Sequence, residues 1–197
     1  MPRRSHDHYC AVSRALDVVG DRWSLLLVRE LSSGPRRYSD LFADLPGIST
    51  DILAARLKDL ERDAILTKRK VGARASTVVY ELTDAGSALR PVLDSLSEWG
   101  TPLLGQRRPT DAIRAHWFAL PIGRALAQQV SACTVEVHVS DNVFHVVIDA
   151  ARTVTHHDGP AAEPDHRLHL DLDTAIGVVN GAVTLPDAHP VDHAAKT

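Results

Sequence analysis

The spacing of apolar residues changes period twice within the first hundred positions, and this constrains the fold more than any other feature of the chain. Up to Leu60 the apolar residues recur at helical intervals, interrupted at Gly20, at Ser33-Gly34-Pro35 and at Pro46-Gly47. Three interruptions divide this stretch into four short helices. Val12, Ala15, Leu16 and Val19 stripe the first, which Gly20 ends. Asp21 caps the second, where Trp23, Leu26, Leu27 and Leu31 share a face. The third runs from Ser39 to Leu45. Ser49, a favourable N-cap, opens the fourth, which is expected to bury Ile52, Leu53, Leu57 and Leu60. Its outer face then carries Thr50, Asp51, Ala54, Ala55, Arg56, Lys58 and Arg62.

From Ile65 to Val71 and from Thr77 to Leu82 the pattern turns to that of two strands, joined by Gly72-Ala73-Arg74-Ala75-Ser76. Lys68, Arg69, Lys70 and Arg74 crowd this hairpin. Helical spacing returns at Thr83-Asp84, where Ala85, Leu89, Val92, Leu96 and Trp99 step by fours and threes. That spacing suits a helix–helix seam, with Leu89, Val92, Leu96 and Trp99 meeting a second copy and Pro91 kinking the helix.

Charge is uneven. Residues 1–108 hold 17 Lys and Arg against 14 Asp and Glu, and residues 109–197 hold 5 against 11. Nine of the 11 histidines also lie beyond residue 108. Phosphate contacts need Lys and Arg, so nucleic acid belongs with the first half only. Helix, short helix, turn, helix and basic hairpin is the order of a winged helix-turn-helix. A slim helix with Ala54 and Ala55 near its N-terminal end can enter a major groove about 12 Å wide, and a basic hairpin can reach phosphates beside it. The alternative is a winged helix that docks protein, its charges forming a solvated face.

The stretch from Cys10 to Val71, with VVYELTDAGSAL and SEWG beyond it, resembles the HxlR-type transcriptional regulators. The carrying elements are Gly20-Asp21-Arg22-Trp23, Gly34-Pro35-Arg36-Arg37-Tyr38, Gly47-Ile48-Ser49 with Leu53, Arg56, Leu57 and Leu60, then Tyr80, Leu82, Thr83, Gly86 and Trp99. The resemblance covers about residues 9–100. It implies a cytoplasmic homodimer, a repressor on double-stranded operator DNA, with a recognition helix at about Ser49–Arg62. Ser49, Thr50, Asp51, Ala54, Arg56 and Lys58 would then face bases, and Arg36, Arg37, Lys68, Lys70 and Arg74 would hold phosphates. Arg56 could equally lie flat over its own helix, and Asp51 could serve as a cap instead of accepting from a cytosine. Some members of the family sense electrophiles or oxidants with a thiol ahead of the first helix, the position of Cys10. Here Ala11 follows, where the family usually has proline. The alternative for Cys10 is a small hydrophobe packed under the dimer helices.

Residues 109–197 read as a separate domain, α+β with an antiparallel sheet, after a winged domain spanning 1–108. Asp111 to Val130 is helix-compatible but divided by Pro121. Strands follow at Cys133–Val139, Val143–Ile148 and about Arg152–His156, with alternating Leu168, Leu170 and Leu172 and a short helix at Thr174–Val179. The end of this half is similar to the sterol-carrier-type lipid-binding fold, which implies a cavity for a small apolar ligand, either a sensor or a merely packed domain. Its histidines fit solvent-facing strand positions, and no metal or other cofactor is assigned. Cys133 reads as plain core. His138 and His145 read as cross-strand neighbours.

Two cysteines and no CxxC exclude a disulfide framework, and no run of about 18 apolar residues suggests a membrane span. The opening MPRRSHDHYC has no apolar core, so no secretory leader is expected. GxSxG, Walker, HExxH and GxGxxG motifs are all missing, which argues against an enzyme. A lipid or acyl carrier using a winged domain for assembly is the alternative to a regulator.

Overall fold

The computed structural model describes residues 5–72, 77–185 and 192–193. The chain divides into two units, Met1–Leu93 and Asp94–Thr197. Among the described residues no helix is long and apolar enough to cross a membrane.

The first unit runs α1 (Ala11–Val19), α2 (Ser24–Ser32), β1 (Arg36–Arg37), α3 (Tyr38–Asp44), α4 (Thr50–Arg62), β2 (Leu66–Val71), β3 (Thr77–Leu82) and α5 (Asp84–Ser87). Side-chain caps start α2 and α4. Asp21 accepts from the N–H groups of Trp23 and Ser24 ahead of α2, and Ser49 Oγ accepts from Ile52 N–H at α4. Leu27, Leu31, Leu41, Leu53, Leu57, Leu60 and Leu66 are fully buried at the centre of one core. Each such leucine contributes roughly 1.5–3 kcal/mol relative to exposure. Ile52 was expected among them and is instead 42% exposed. One residue along a helix turns the side chain by about 100°, so a stripe built on 53, 57 and 60 leaves 52 outside.

The β2–β3 hairpin pairs as the alternation indicates, Val71 opposite Thr77 and Leu66 opposite Leu82. The two-residue β1 then adds to the other side of β3, Arg36 opposite Tyr80, which makes a three-stranded wing sheet. Thr83 Oγ1 accepts from Gly86 N–H to start α5. A Cβ at Gly86 would sit well inside contact distance of the Ile65 carbonyl, so only glycine lets this turn close on the hairpin.

The helix expected from Thr83 through Trp99 is two helices, α5 and α6 (Arg90–Gly100), a break rather than a kink. Pro91 has no N–H to offer Ser87, and the ladder tightens to Leu89 N–H on Gly86 O before it resumes at Leu93 on Leu89.

The second unit contains α7 (Ala119–Ala127), β4 (Cys133–Val139), β5 (Asn142–Ile148), β6 (Val154–Asp158), β7 (His166–Leu170), α8 (Leu172–Val179) and β8 (Asp192–His193). Pro121 does not divide a helix; it lies in the first turn of α7, where its missing N–H costs nothing. The third strand begins at Val154, later than expected, because residues 149–153 turn back on themselves: Asp149 accepts from Arg152 and Thr153 N–H, with Arg152 at φ +63°.

The sheet order is β6-β5-β4-β7-β8. The expectation of an all-antiparallel sheet fails at one pair, since β7 lies parallel to β4, with Val137 opposite Leu168 and His138 opposite His169. Residues 159–165 carry the chain back across β5 and β4. They are held by His145 Nδ1 at Gly159 O, Ala161 N–H on Glu136 Oε2 and Asp165 N–H on Thr134 O. One sheet face packs on α7 and α8 through Val135, Val137, Phe144, Val146, Leu168, Ile122 and Ala175. The other face carries Glu136, His138, His145 and His169.

The likeness to a sterol carrier is not borne out. β7, α8 and the turn after it do form, but Ala175, Val178 and Leu185 close onto a packed core. An open groove of about 280 Å³ has Pro121, Arg124, Gln128, Val179 and Val183 along it. His138 and His145 are not opposite one another: their register partners are Val143 and Glu136.

Candidate nucleic-acid interface

Helix α4 is buried along Leu53, Leu57 and Leu60 and exposes Thr50, Asp51, Ala54, Ala55 and Lys58 at its N-terminal end. Ser49 is exposed beside them. Tyr38 anchors this end from α3, its hydroxyl donating to Thr50 O at 2.9 Å. Asp51 lies in the first turn of α4, where a negative charge complements the helix dipole.

Arg56 is half-buried, its guanidinium 2.8 Å from Asp59 and 3.5 Å from Asp21. It lies along its own helix and connects α4 to the turn before α2. The structure therefore favours the flat orientation for Arg56 over a base contact.

The cations expected to meet phosphates separate into two groups. Arg36 is turned inward: its side chain is 15% exposed, with Nη1 3.6 Å from Asp44 and Nε on Glu30 O. This argues against its expected phosphate role, because the Glu30 carbonyl and the Asp44 carboxylate hold the guanidinium inward. Lys68 joins α4 to β2 through Glu61 at 2.7 Å and lies 5.7 Å from the Tyr80 ring centre. The hydrogen bond to Glu61 lifts its ammonium above the ordinary lysine value. Arg37 and Lys70 are exposed. Arg74 lies outside the described residues. Arg69, named among the hairpin cations but given no phosphate contact, is held bidentate by Glu81 at 2.9–3.0 Å.

Of the four residues assigned to a dimer seam, Val92, Leu96 and Trp99 are exposed at 49%, 45% and 69%. Leu89 instead packs with Leu93 against the core of the first unit. Sequence reasoning gave no interface role to α1, yet Tyr9, Val12 and Leu16 are also exposed apolar residues. Their helical stripe was visible, but a stripe alone does not tell core from interface.

Cys10 is exposed and occupies the N-cap of α1. The N–H groups of Ser13 and Val12, with the Ser13 hydroxyl, hold its thiol below the ordinary value. Cys133 is partly buried, and burial pushes its thiol up, helped by the charge of Asp165.

A family model described as "HxlR-like helix-turn-helix" matches residues 18–108. The chain is 36% identical over 88 residues to the HTH-type transcriptional regulator YvaP of Bacillus subtilis, covering 45% of this chain and 82% of that one. It is 34% identical over 85 residues to the regulator YodB of the same organism, covering 43% and 76%. The reduced form of YodB in crystals aligns with a TM-score of 0.44 at 29% identity, over 51% of this chain and all of that chain. The family brings with it DNA binding and a dimeric arrangement, and these relatives do not favour the lipid-carrier alternative. On the order of its helices and wing, and on relatives matched over three quarters or more of their length, the chain belongs to the HxlR-like family of helix-turn-helix transcriptional regulators.

Proposed function

We propose that the protein acts in the cytoplasm as a homodimeric repressor, each protomer placing the N-terminal half of α4 in a major groove. The observation that carries this is the exposed end of α4, with Thr50, Asp51, Ala54 and Lys58 outward, fixed beside basic strand β2 by Lys68 and Glu61. Short side chains let the helix axis approach the bases, and Lys58 reaches further. Ser49, Thr50, Asp51, Ala54 and Lys58 face base edges. Arg37 and Lys70 hold phosphates, with Arg74 alongside them in sequence, and Lys68, paired with Glu61, adds less. Arg56 positions α4 through Asp21 and Asp59. Val92, Leu96 and Trp99 meet the second copy.

Two inputs are available for release. One is modification of the exposed Cys10 thiol, whose lowered pKa favours the reactive thiolate. The other is a small apolar ligand in the groove between α7 and α8, lined by Val179, Val183 and Leu185 among polar neighbours.

The test is titration of the protein into DNA from upstream of its own gene, at several salt concentrations, with excess unrelated DNA. Salt-sensitive binding that survives the competitor supports the proposal. No affinity even at low salt overturns it.

A further inference from the structure

The polar face of the second unit's sheet brings together residues far apart in the chain. His138 on β4 and His169 on β7 are register partners, and their rings stack with centroids 4.4 Å apart and planes 18° apart. His138 is only part-exposed; His169 is open to solvent. Both line one surface depression with Ser140 and Asp171.

The surroundings of His138 are specific. Its Nε2 lies 2.8 Å from Oε1 of Glu136, a carboxylate only 5% exposed. Glu136 is enclosed by donors: Oε1 also lies 3.1 Å from Arg167 Nε, and Oε2 accepts from Ala161 N–H at 3.1 Å. With Arg167 Nε and Ala161 N–H donating to the same carboxylate, Glu136 also accepts from His138 Nε2, which leaves the lone pair of Nδ1 for a ligand. A buried carboxylate that takes one ring N–H and fixes the tautomer is the support that metal-ligating histidines have.

We propose that His138 and His169 together bind a divalent transition-metal ion of the zinc, nickel or copper class, at the open face of the β4–β7 pair. Imidazole nitrogens suit these ions, whereas calcium and magnesium require oxygen donors. Nearly parallel rings do not direct their lone pairs to one point, so binding requires His169 to tilt about its Cβ–Cγ bond while Glu136 holds His138 in place. That torsion is broad for histidine, and His169 is open to solvent. Nitrogen–zinc distances of about 2.0–2.1 Å then bring the two rings to a single ion. Water completes the coordination, with the Asp171 carboxylate at the rim. Asp171 itself caps α8 by accepting from Thr174 N–H. A bound ion links β4 to β7, two strands that the chain joins only through β5 and β6.

A second stacked pair, His145 with His157 at 5.1 Å, serves as an internal control. His145 has a backbone carbonyl, Gly159 O, in place of a buried carboxylate.

The experiment is equilibrium dialysis of the full chain against ZnCl2, repeated with NiCl2, on wild type and single variants. His138→Ala and His169→Ala are each expected to lower the association constant of the tightest site at least tenfold. His145→Ala is expected to leave it within about twofold. Glu136→Gln keeps the shape of the side chain and should weaken binding about 10- to 100-fold, the usual effect of losing such a support. Excess MgCl2 or CaCl2 should not compete. Equal zinc binding by wild type and by His138→Ala or His169→Ala overturns the proposal. So does a loss in His145→Ala as large as theirs. Circular dichroism of each variant separates lost binding from lost fold.

Discussion

Lys70 and Lys68 sit two residues apart on the same strand face, yet they should contribute differently to DNA binding. Lys68 is held by Glu61 at 2.7 Å, while Lys70 is exposed with no carboxylate partner among the described residues. A lysine already paired brings little net charge to a phosphate, because its carboxylate accompanies it. Each phosphate neutralised on duplex DNA contributes about 0.9 to the slope of log K against log salt concentration. A dimer places two copies of Lys70 on the operator, so Lys70→Ala should flatten the slope by about 1.8. Between 50 and 200 mM salt, that difference reduces the loss of affinity by about tenfold. Lys68→Ala should flatten it by less than half as much, since Lys68 meets the DNA already paired with Glu61. The assay is fluorescence anisotropy on one operator duplex at five or six salt concentrations, for wild type and both variants. A larger slope change for Lys68→Ala would refute the reasoning. An unchanged slope with altered preference among operator sequences would show that Lys70 reads bases instead.

Other consequences follow from the same geometry. Leu96→Glu places a charge in the exposed seam of α6 and should convert the dimer to monomer, read by sedimentation velocity. Gly86→Ala drives a methyl group into the Ile65 carbonyl and should cost about 1–3 kcal/mol of the first unit's stability, read by urea unfolding. Cys10 should be alkylated by iodoacetamide well before Cys133, since helix N–H groups lower one thiol and burial raises the other; equal rates by mass spectrometry would contradict this. Asp17 is held at about 2 by hydrogen bonds from His6 and Ser5. Its pKa is lower in the fold than in the unfolded chain, so its contribution is present above about pH 4 and is lost as pH falls toward 2. Amide exchange at residues 5–8 should rise over that window in wild type and vary much less in Asp17→Asn.

The winged helix-turn-helix was legible because its causes are local. Ser49 caps α4 within one turn, Asp21 caps α2, and strand alternation from Leu66 to Leu82 places the hairpin in register. Errors arose where a neighbour distant in sequence, or in another element, decides the outcome. Composition counts Arg36 as a free cation, but the part-buried Asp44 carboxylate and the Glu30 main-chain carbonyl draw it inward. Lys68 is taken by Glu61 from another element, and Arg69 by Glu81 across the hairpin. A basic hairpin read from sequence therefore overstates its phosphate-binding capacity, since each carboxylate nearby in space removes one cation from the count.

The second unit shows the same principle from the opposite side. Alternation at Leu168 and Leu170 identifies a strand, but not which strand it joins or in which direction. Placing β7 parallel to β4 depends on the crossing at residues 159–165, which Glu136, His145 and Thr134 hold through bonds spanning 14 to 31 residues. Only that register sets His169 against His138, so spacing along the chain separated two histidines that the sheet stacks at 4.4 Å. Metal-ligand spacing detects sites built within one or two adjacent elements. A site made by a parallel strand pair leaves no such spacing, because the connection between its strands has no required length.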